Sequence, residues 1–99
     1  MTLQKFRWSK VYESSEEELT TLLEKRKITA ERIAAETSDI PVSQTHDKDS
    51  TVWCAEGSLA VRTDNNTTAL QPGDALQIPA NTVYELRPGI TGYVCYKTA

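Results

Sequence analysis

From Thr51 onward, apolar and other side chains alternate with a period of two, and turn residues interrupt the alternation at short intervals. This period is typical of β-strands that bury one face. Gly, Pro, Asn and Asp mark turns at residues 64–66, 72–74, 79–81 and 88–89, and residues 93–96 form the last strand. Short strands at this spacing predict a β-sandwich or a small barrel.

Glycine and proline divide the chain of 99 residues into two parts. All four glycines lie at or after Gly57, and three of the four prolines lie after Pro41. A length near 100 residues favours one domain. We therefore expect a single domain in which residues 1–27 form an N-terminal arm and helix and residues 28–99, approximately, form the barrel.

The first part carries the signals of one helix, which we predict over residues 15–26. Ser15 and Glu18 have the spacing of a capping box at its start. Leu19, Leu22 and Leu23 then form one narrow apolar stripe. Such a helix is expected to pack its stripe on the sheet. Residues 28–36 are compatible with a longer helix or with a first strand, and we interpret residues 30–34 as a strand because the barrel needs another strand to close.

Charge and composition exclude several classes of protein. The net charge is −3 and the pI is about 5.1, which argues against a general nucleic-acid or anionic-membrane binder. No apolar run approaches the ~20 residues of a membrane helix. The first ten residues lack the apolar stretch of a secretory signal, so we expect a cytoplasmic protein with both cysteines reduced.

The segment of residues 73–81, Gly-Asp-Ala-Leu-Gln-Ile-Pro-Ala-Asn, is the strongest motif of the chain. It turns the chain into a strand, supplies Leu76 and Ile78 to a buried face, and turns again. With Glu56 and Gly57 upstream, it resembles the second motif of the cupin family, G-D-x-φ-x-φ-P-A-G-x-x-H, where φ is apolar. The resemblance covers residues 40–99 and implies a double-stranded β-helix, or jelly-roll barrel, often a homodimer, with a ligand or metal in its mouth.

The same resemblance assigns the usual metal-ligand positions to Gln44, His46, Ser50 and Tyr84. Only His46 has a ligand side chain typical of the family. One imidazole with an amide and a phenol is a weak donor set for iron, manganese or zinc. We therefore expect no resident metal. If a divalent metal does bind, His46, Gln44 and Tyr84 are the residues that would hold it.

The implied barrel interior would form a neutral, mixed lumen, with no arginine in it. This lumen suits a small uncharged or weakly anionic organic ligand. The residues expected to line it are Gln44, His46, Ser50, Val52, Cys54, Leu76, Ile78, Tyr84 and Leu86. The alternative is a metal-dependent or cofactor-free enzyme of the dioxygenase or isomerase type, in which His46 and Tyr84 act as the acid–base pair.

Three further arrangements around His46, the only histidine, are compatible with the sequence. Asp47 and Asp49 could join it in a carboxylate-rich pocket, although a solvated acidic turn is the simpler interpretation. Cys54 and Cys95 could join it in a zinc site, but the orientation of Cys95 is not fixed by the pattern, and buried cysteines usually act as small apolar residues. Cys54 could also be a nucleophile if His46 lowered its pKa.

The aromatic residues near the start of the chain are expected to pack rather than to bind a ligand. Phe6, Trp8 and Tyr12 could lie across a barrel edge or in a dimer interface, where such residues are enriched. Trp53 alternates with the inward positions, so it should face the N-terminal segment or a partner. Because sheet edges invite pairing, we predict a homodimer in which residues 1–12 lie across the other subunit.

Overall fold

Seven antiparallel strands and one helix make up the part of the chain that the computed structural model describes, residues 3–8, 16–36, 43–64 and 66–98. This confirms a mostly β fold with one N-terminal helix. The elements are β1 (Gln4–Arg7), α1 (Glu16–Lys25), β2 (Glu31–Ala35), β3 (Ser43–Gln44), β4 (Ser50–Arg62), β5 (Thr67–Leu70), β6 (Asp74–Ile78) and β7 (Tyr84–Lys97).

The two long strands, β4 and β7, pair with each other and join two halves of the sheet. The first half has the order β1-β6-β4-β7-β2 and uses the start of β4 and the end of β7. In the second half, the end of β4 pairs with β5, and the start of β7 pairs with β3. Side chains from both halves meet in one buried cluster, so the halves close around a common interior.

One strand and two turns agree with the sequence predictions, and a further strand was not predicted. The ambiguous segment 28–36 contains β2, which confirms the strand interpretation. The predicted turns at 72–74 and 79–81 join β5 to β6 and β6 to β7, with positive φ at Gly73 and Asn81. The N-terminal arm also contributes a strand, β1, which pairs with β6 from Gln4–Gln77 to Arg7–Asp74.

The turn predicted at residues 88–89 is wrong, because β7 continues through Pro88 along the same partner strand. Between Gly57 and Leu59 of β4, the paired residue on β7 moves from Tyr93 to Pro88. Residues 89–92 of β7 therefore lie opposite Ser58 alone, in a large bulge. Pro88 itself pairs with Leu59 and lies at the edge of this bulge, a position at which sheets accept proline.

The side chains of β4 bury both faces of the strand near its start. Val52 and Cys54 point into the barrel interior, whereas Trp53 and Ala55 point outward into a second buried cluster. Helix α1 covers that outer cluster with Leu19 and Leu23, which are 0% and 6% exposed. Trp53 therefore faces the N-terminal segment, which is one of the two orientations predicted for it.

Helix α1 is a packing helix whose first residue is tied to the sheet. Glu16 accepts hydrogen bonds from Arg32 of β2 and from the hydroxyl of Tyr96 on β7, the latter at 2.7 Å. Both contacts lower the pKa of the Glu16 carboxyl. The predicted cap residue Ser15 and the aromatic Tyr12 lie outside the described residues. Among the described residues, no helix is long and apolar enough to cross a membrane.

Trp8 packs against the outer cluster, in agreement with the predicted packing role for the aromatic residues near the start. Its indole Nε1 donates to the carbonyl of Cys54 at 3.0 Å, and the Gly73 amide donates to the same carbonyl at 3.1 Å. That carbonyl is available because the β4–β7 register shifts between Cys54 and Glu56. The bulge thus provides the acceptor that fastens the chain after β1 to the barrel.

Candidate functional site

Five polar side chains from strands β3, β4 and β7 and from the β3–β4 connection gather in the barrel interior. We call this group the cup, and its members are Gln44, His46, Ser50, Tyr84 and Lys97. The ladder positions Gln44 directly opposite Tyr84 on the β3–β7 pair. Ser50 begins β4, and Lys97 ends β7 opposite Val52. The cup therefore joins residues of the two halves of the sheet.

The centre of the cup is a short hydrogen-bonded chain. Nε2 of His46 lies 2.8 Å from the Tyr84 hydroxyl and 3.1 Å from Nζ of Lys97. The same Nζ lies 2.9 Å from the side-chain oxygen of Gln44. Tyr84 and Lys97 are 1% and 5% exposed, while Gln44 and His46 are half-buried. Gln44 and His46 are therefore the members of the cup with surface in contact with solvent.

These contacts determine where the proton of His46 lies. A lysine ammonium has only donors, so the ring nitrogen that faces it must accept. Nε2 therefore carries no proton, and a neutral His46 holds its proton on Nδ1. The Tyr84 hydroxyl and the Lys97 ammonium therefore share the one lone pair of this nitrogen. His46 is thus arranged as a hydrogen-bond acceptor toward the interior.

Burial fixes the protonation state of Tyr84. Loss of solvent, with a smaller contribution from neighbouring Cys95, raises the pKa of its phenol to about 12. The hydroxyl therefore stays protonated at neutral pH and acts as a donor. A phenolate, which is the form of tyrosine that binds iron, is disfavoured at this position.

Ser50 occupies the cup without using its hydroxyl. The residue is 2% exposed, and its Oγ has no hydrogen-bond partner within the described residues. A buried hydroxyl without a partner loses the hydrogen bonds that it made to water, which costs about 1–3 kcal/mol. The Oγ itself is fully buried, so a ligand or a water would reach it only when the side chains around it move apart.

The apolar residues predicted to line the lumen all lie in the barrel interior. Each is between 0% and 4% exposed and belongs to the interior cluster, so together they form an apolar floor next to the polar residues. They are Val52, Cys54, Leu76, Ile78 and Leu86. Cys95, whose orientation the sequence left open, is also in this cluster and lies opposite Cys54 on the β4–β7 ladder.

The prediction of a neutral lumen is wrong because Lys97 contributes an ammonium to it. The sequence interpretation ended the last strand at Tyr96 and did not fix the orientation of Cys95. Since β7 extends to Lys97 and Cys95 points inward, the residue two positions later points inward as well. Residues two apart on a strand point to the same face, so the sequence predicts an inward Lys97 only once Cys95 is known to point inward.

The donor set of the cup does not fit a resident transition-metal ion. Lys97 donates to Gln44 and His46, the two side chains at the first two ligand positions implied by the cupin resemblance. Their acceptor atoms are thus engaged by a positive charge that belongs to the protein. Tyr84 is held as a neutral phenol, and Ser50 offers a neutral hydroxyl. Sites for zinc or iron instead combine several imidazole, thiolate or carboxylate donors.

The other arrangements considered around His46 are not assembled. Asp47 is exposed, and Asp49 accepts a hydrogen bond from the Ala80 amide at 2.8 Å, which fastens the turn after β6. Burial raises the pKa values of the Cys54 and Cys95 thiols to about 12, which disfavours both a thiolate ligand and a nucleophile. In the described ranges, no three His, Cys, Asp or Glu side chains form a group that could hold a metal ion.

Comparisons of the sequence give a short match to a known enzyme. No protein-family model matches the chain. A segment of 37 residues, 37% of this chain, is 46% identical to quercetin 2,3-dioxygenase of Bacillus subtilis. The match spans 11% of that protein's length, so it concerns a small part of the dioxygenase.

Comparisons of the structure cover nearly the whole chain. A DUF861 family protein from Thermotoga maritima aligns with a TM-score of 0.63 and 14% identity, covering 98% of both chains. A cupin superfamily protein from Desulfitobacterium hafniense aligns with a TM-score of 0.52 and 10% identity over 97% of this chain and 74% of the other. Together with the 73–81 motif and the closed antiparallel sheet, these similarities show that the chain has the cupin fold.

Proposed function

We propose that this cupin barrel binds a small organic molecule in the cup, without a resident metal and without catalysing a reaction on it. The observation that carries the proposal is the position of the Lys97 ammonium, which is bonded to Gln44 and His46. A fixed positive charge and several hydrogen-bonding groups next to an apolar floor are features of small-molecule sites. The free thiols of Cys54 and Cys95 support a reducing, cytoplasmic location.

Metal analysis of protein purified without a histidine tag tests the metal-free part of the proposal. His46 is the only histidine, so an untagged chain offers no other imidazole to adventitious metal. We expect less than 0.1 equivalent, roughly, of iron, manganese, nickel or zinc, because the donor set is weak. Stoichiometric metal that disappears in His46→Ala would show that the cup is a metal centre.

Native mass spectrometry of the same untagged protein tests ligand binding. We expect a small organic molecule to remain bound to a fraction of the protein, and we expect Tyr84→Phe and His46→Ala to lower that fraction. A matched control is Lys25→Ala, which changes an exposed side chain on α1. Loss of the bound molecule in the control as well would place its site outside the cup.

A cofactor-free acid–base enzyme is the second candidate, and the 2.8 Å contact between His46 and Tyr84 favours it. The similarity of a segment of the chain to quercetin 2,3-dioxygenase adds to this candidate. In such an enzyme, His46 would accept a proton and the neutral Tyr84 would donate one, as general acid–base pairs do. Deuterium uptake from solvent into the molecule identified by mass spectrometry, abolished in His46→Ala, would establish this candidate over a binding protein.

A further inference from the structure

The positive charge of the cup has no matching negative charge in the described part of the chain. Lys97 is 5% exposed, and both of its hydrogen-bond partners, Gln44 and His46, are neutral. The ion pairs formed there use Lys5, Arg7, Arg32 and Arg87 as cations, and none involves Lys97. Burying an unpaired ammonium is unfavourable, so an anion that enters the cup gains a partner already in place.

The unused hydroxyl of Ser50 points to the same place. Val52 is the cross-strand partner of Lys97, and Ser50 lies two residues before Val52, so Ser50 and Lys97 are diagonal neighbours on one face of the ladder. Cα atoms in this relationship are about 7–8 Å apart, and the side chains can converge on one group. An ammonium has three N–H donors, of which Gln44 and His46 take two. One N–H of Lys97 and the O–H of Ser50 remain.

We propose that Lys97 and Ser50 bind the carboxylate of a small organic monoanion in the cup. This inference rests on the proposed function and specifies the chemical class of its ligand. A carboxylate accepts hydrogen bonds at two oxygens, which matches one N–H donor and one O–H donor. One uncompensated positive charge balances one negative charge, so a monocarboxylate fits better than a phosphate dianion. The floor residues are 0% to 4% exposed, so the carbon skeleton would contact them only as the side chains of the cup move apart to admit it.

The test is a chemical-shift titration by NMR with acetate and benzoate, each compared with its neutral amide, acetamide or benzamide. Ionic strength is held constant because salt screens charges. We expect each carboxylate to bind at least about tenfold more tightly than its amide, with shifts at the amides of Ser50, Val52 and Lys97. Equal affinity of acid and amide, or no binding of any carboxylate, would overturn the inference.

Three variants assign the effect to the cup. Lys97→Met should lower carboxylate affinity at least about tenfold, whereas Lys25→Met, which removes the same charge from the exposed face of α1, should not. Ser50→Ala should weaken carboxylate binding and leave stability unchanged or higher, because it removes a hydroxyl without a partner. This second variant keeps the test decisive if Lys97→Met does not fold. Unchanged carboxylate binding in Ser50→Ala and in a folded Lys97→Met would refute the inference.

The titration also separates this inference from the proposed function. If neutral amides bind in the cup and Lys97→Met retains their affinity, the chain is a small-molecule binder whose ligand is not a carboxylate. If neither acids nor amides shift the cup residues and no molecule co-purifies with the chain, the proposed function itself fails.

Discussion

The hydroxyl of Tyr84 lies 2.8 Å from Nε2 of His46, and this hydrogen bond joins β7 to the connection between β3 and β4. Tyr84→Phe keeps the buried ring and removes the bond. We expect the free energy of unfolding to fall by about 0.5–1.5 kcal/mol, the usual net contribution of such a bond. Urea unfolding of the two proteins measures the difference.

The imidazole of His46 gives a second readout of the same substitution. Because the chain has one histidine, its ring nitrogens can be observed by NMR without assignment. We expect wild type above pH 8, approximately, to show the proton on Nδ1, and Tyr84→Phe to shift the Nε2 signal. The control is Tyr96→Phe, which removes the hydroxyl bond to Glu16 on the outer face. Identical imidazole spectra in wild type and Tyr84→Phe would contradict the geometry.

The strands of the barrel were predictable from the sequence where turn residues bracket a segment of alternating apolar residues. Leu76 and Ile78 alternate between two turn signals, so their inward orientation follows from the period of a strand. The 88–89 segment carried a turn signal of the same strength, yet β7 continues there. Its outcome is decided by the opposite strand, where Gly57 lets the backbones approach and a bulge absorbs the extra residues. Single-chain patterns do not contain that pairing information.

The site was predictable only as far as the cupin resemblance assigned positions. Gln44, His46, Ser50 and Tyr84 do gather at one place, because the strand pairing that the resemblance implies is present. Lys97 was not predicted, because its orientation depends on where β7 ends and on whether Cys95 points inward. The pairing of Cys95 with Cys54 decides the latter. A charged residue near the end of a chain is usually solvated, so composition alone favoured the wrong interpretation.

Asp74 should make the stability of the chain depend on acid pH. Desolvation acts to raise the pKa of its carboxyl, but hydrogen bonds from the Gln71 amide at 3.0 Å and from Arg7 at 2.9 Å, with Lys5 nearby, lower it overall. Because the pKa is lower in the folded state, the ionised Asp74 stabilises the fold fully at pH values above the unfolded pKa, about 4. This stabilisation is lost as the pH falls through the folded pKa.

Unfolding by urea at a series of pH values checks this dependence. We expect Asp74→Asn to cost about 1–3 kcal/mol at pH 7 and to flatten the decline in stability below pH 4, approximately. Asp64→Asn is the control, since Asp64 is exposed. An acid limb of equal slope in wild type and Asp74→Asn would show that another carboxyl is responsible.

The two thiols should be inert while the protein is folded. Cys54 and Cys95 are 0% exposed, and burial raises the pKa of each to about 12. The thiolate is the nucleophile that attacks a thiol reagent, and it is scarce at pH 8 for such groups. We expect Ellman's reagent to titrate neither thiol in the native chain and both after unfolding in guanidinium chloride. Rapid reaction of one thiol in the native protein would mean that the interior opens near it.

Gly57 should not tolerate a side chain. Its φ is +74°, and a Cβ there would lie 2.2 Å from the carbonyl oxygen of Gly92, which is backbone and cannot rotate away. We expect Gly57→Ala to lower the free energy of unfolding by more than about 2 kcal/mol, through left-handed strain and this clash. Gly89→Ala is the comparison, because Gly89 lacks the left-handed φ of Gly57, although its Cβ would also crowd the Oγ and Cβ of Ser58. An equal loss in both variants would argue against a special role for the Gly57–Gly92 approach.

Homodimer formation remains a prediction, and the ends of the sheet suggest how to test it. β1 pairs with β6 on one side and stands at the end of the strand order, and Phe6 on it is 39% exposed. An edge strand of this kind can pair with a second copy. Light scattering at micromolar concentration should return twice the chain mass of 11.1 kDa. Phe6→Glu should shift the mass toward that of one chain, whereas Ile90→Glu, at a site 92% exposed on the β7 bulge, should not. A wild-type mass of 11.1 kDa would refute the dimer.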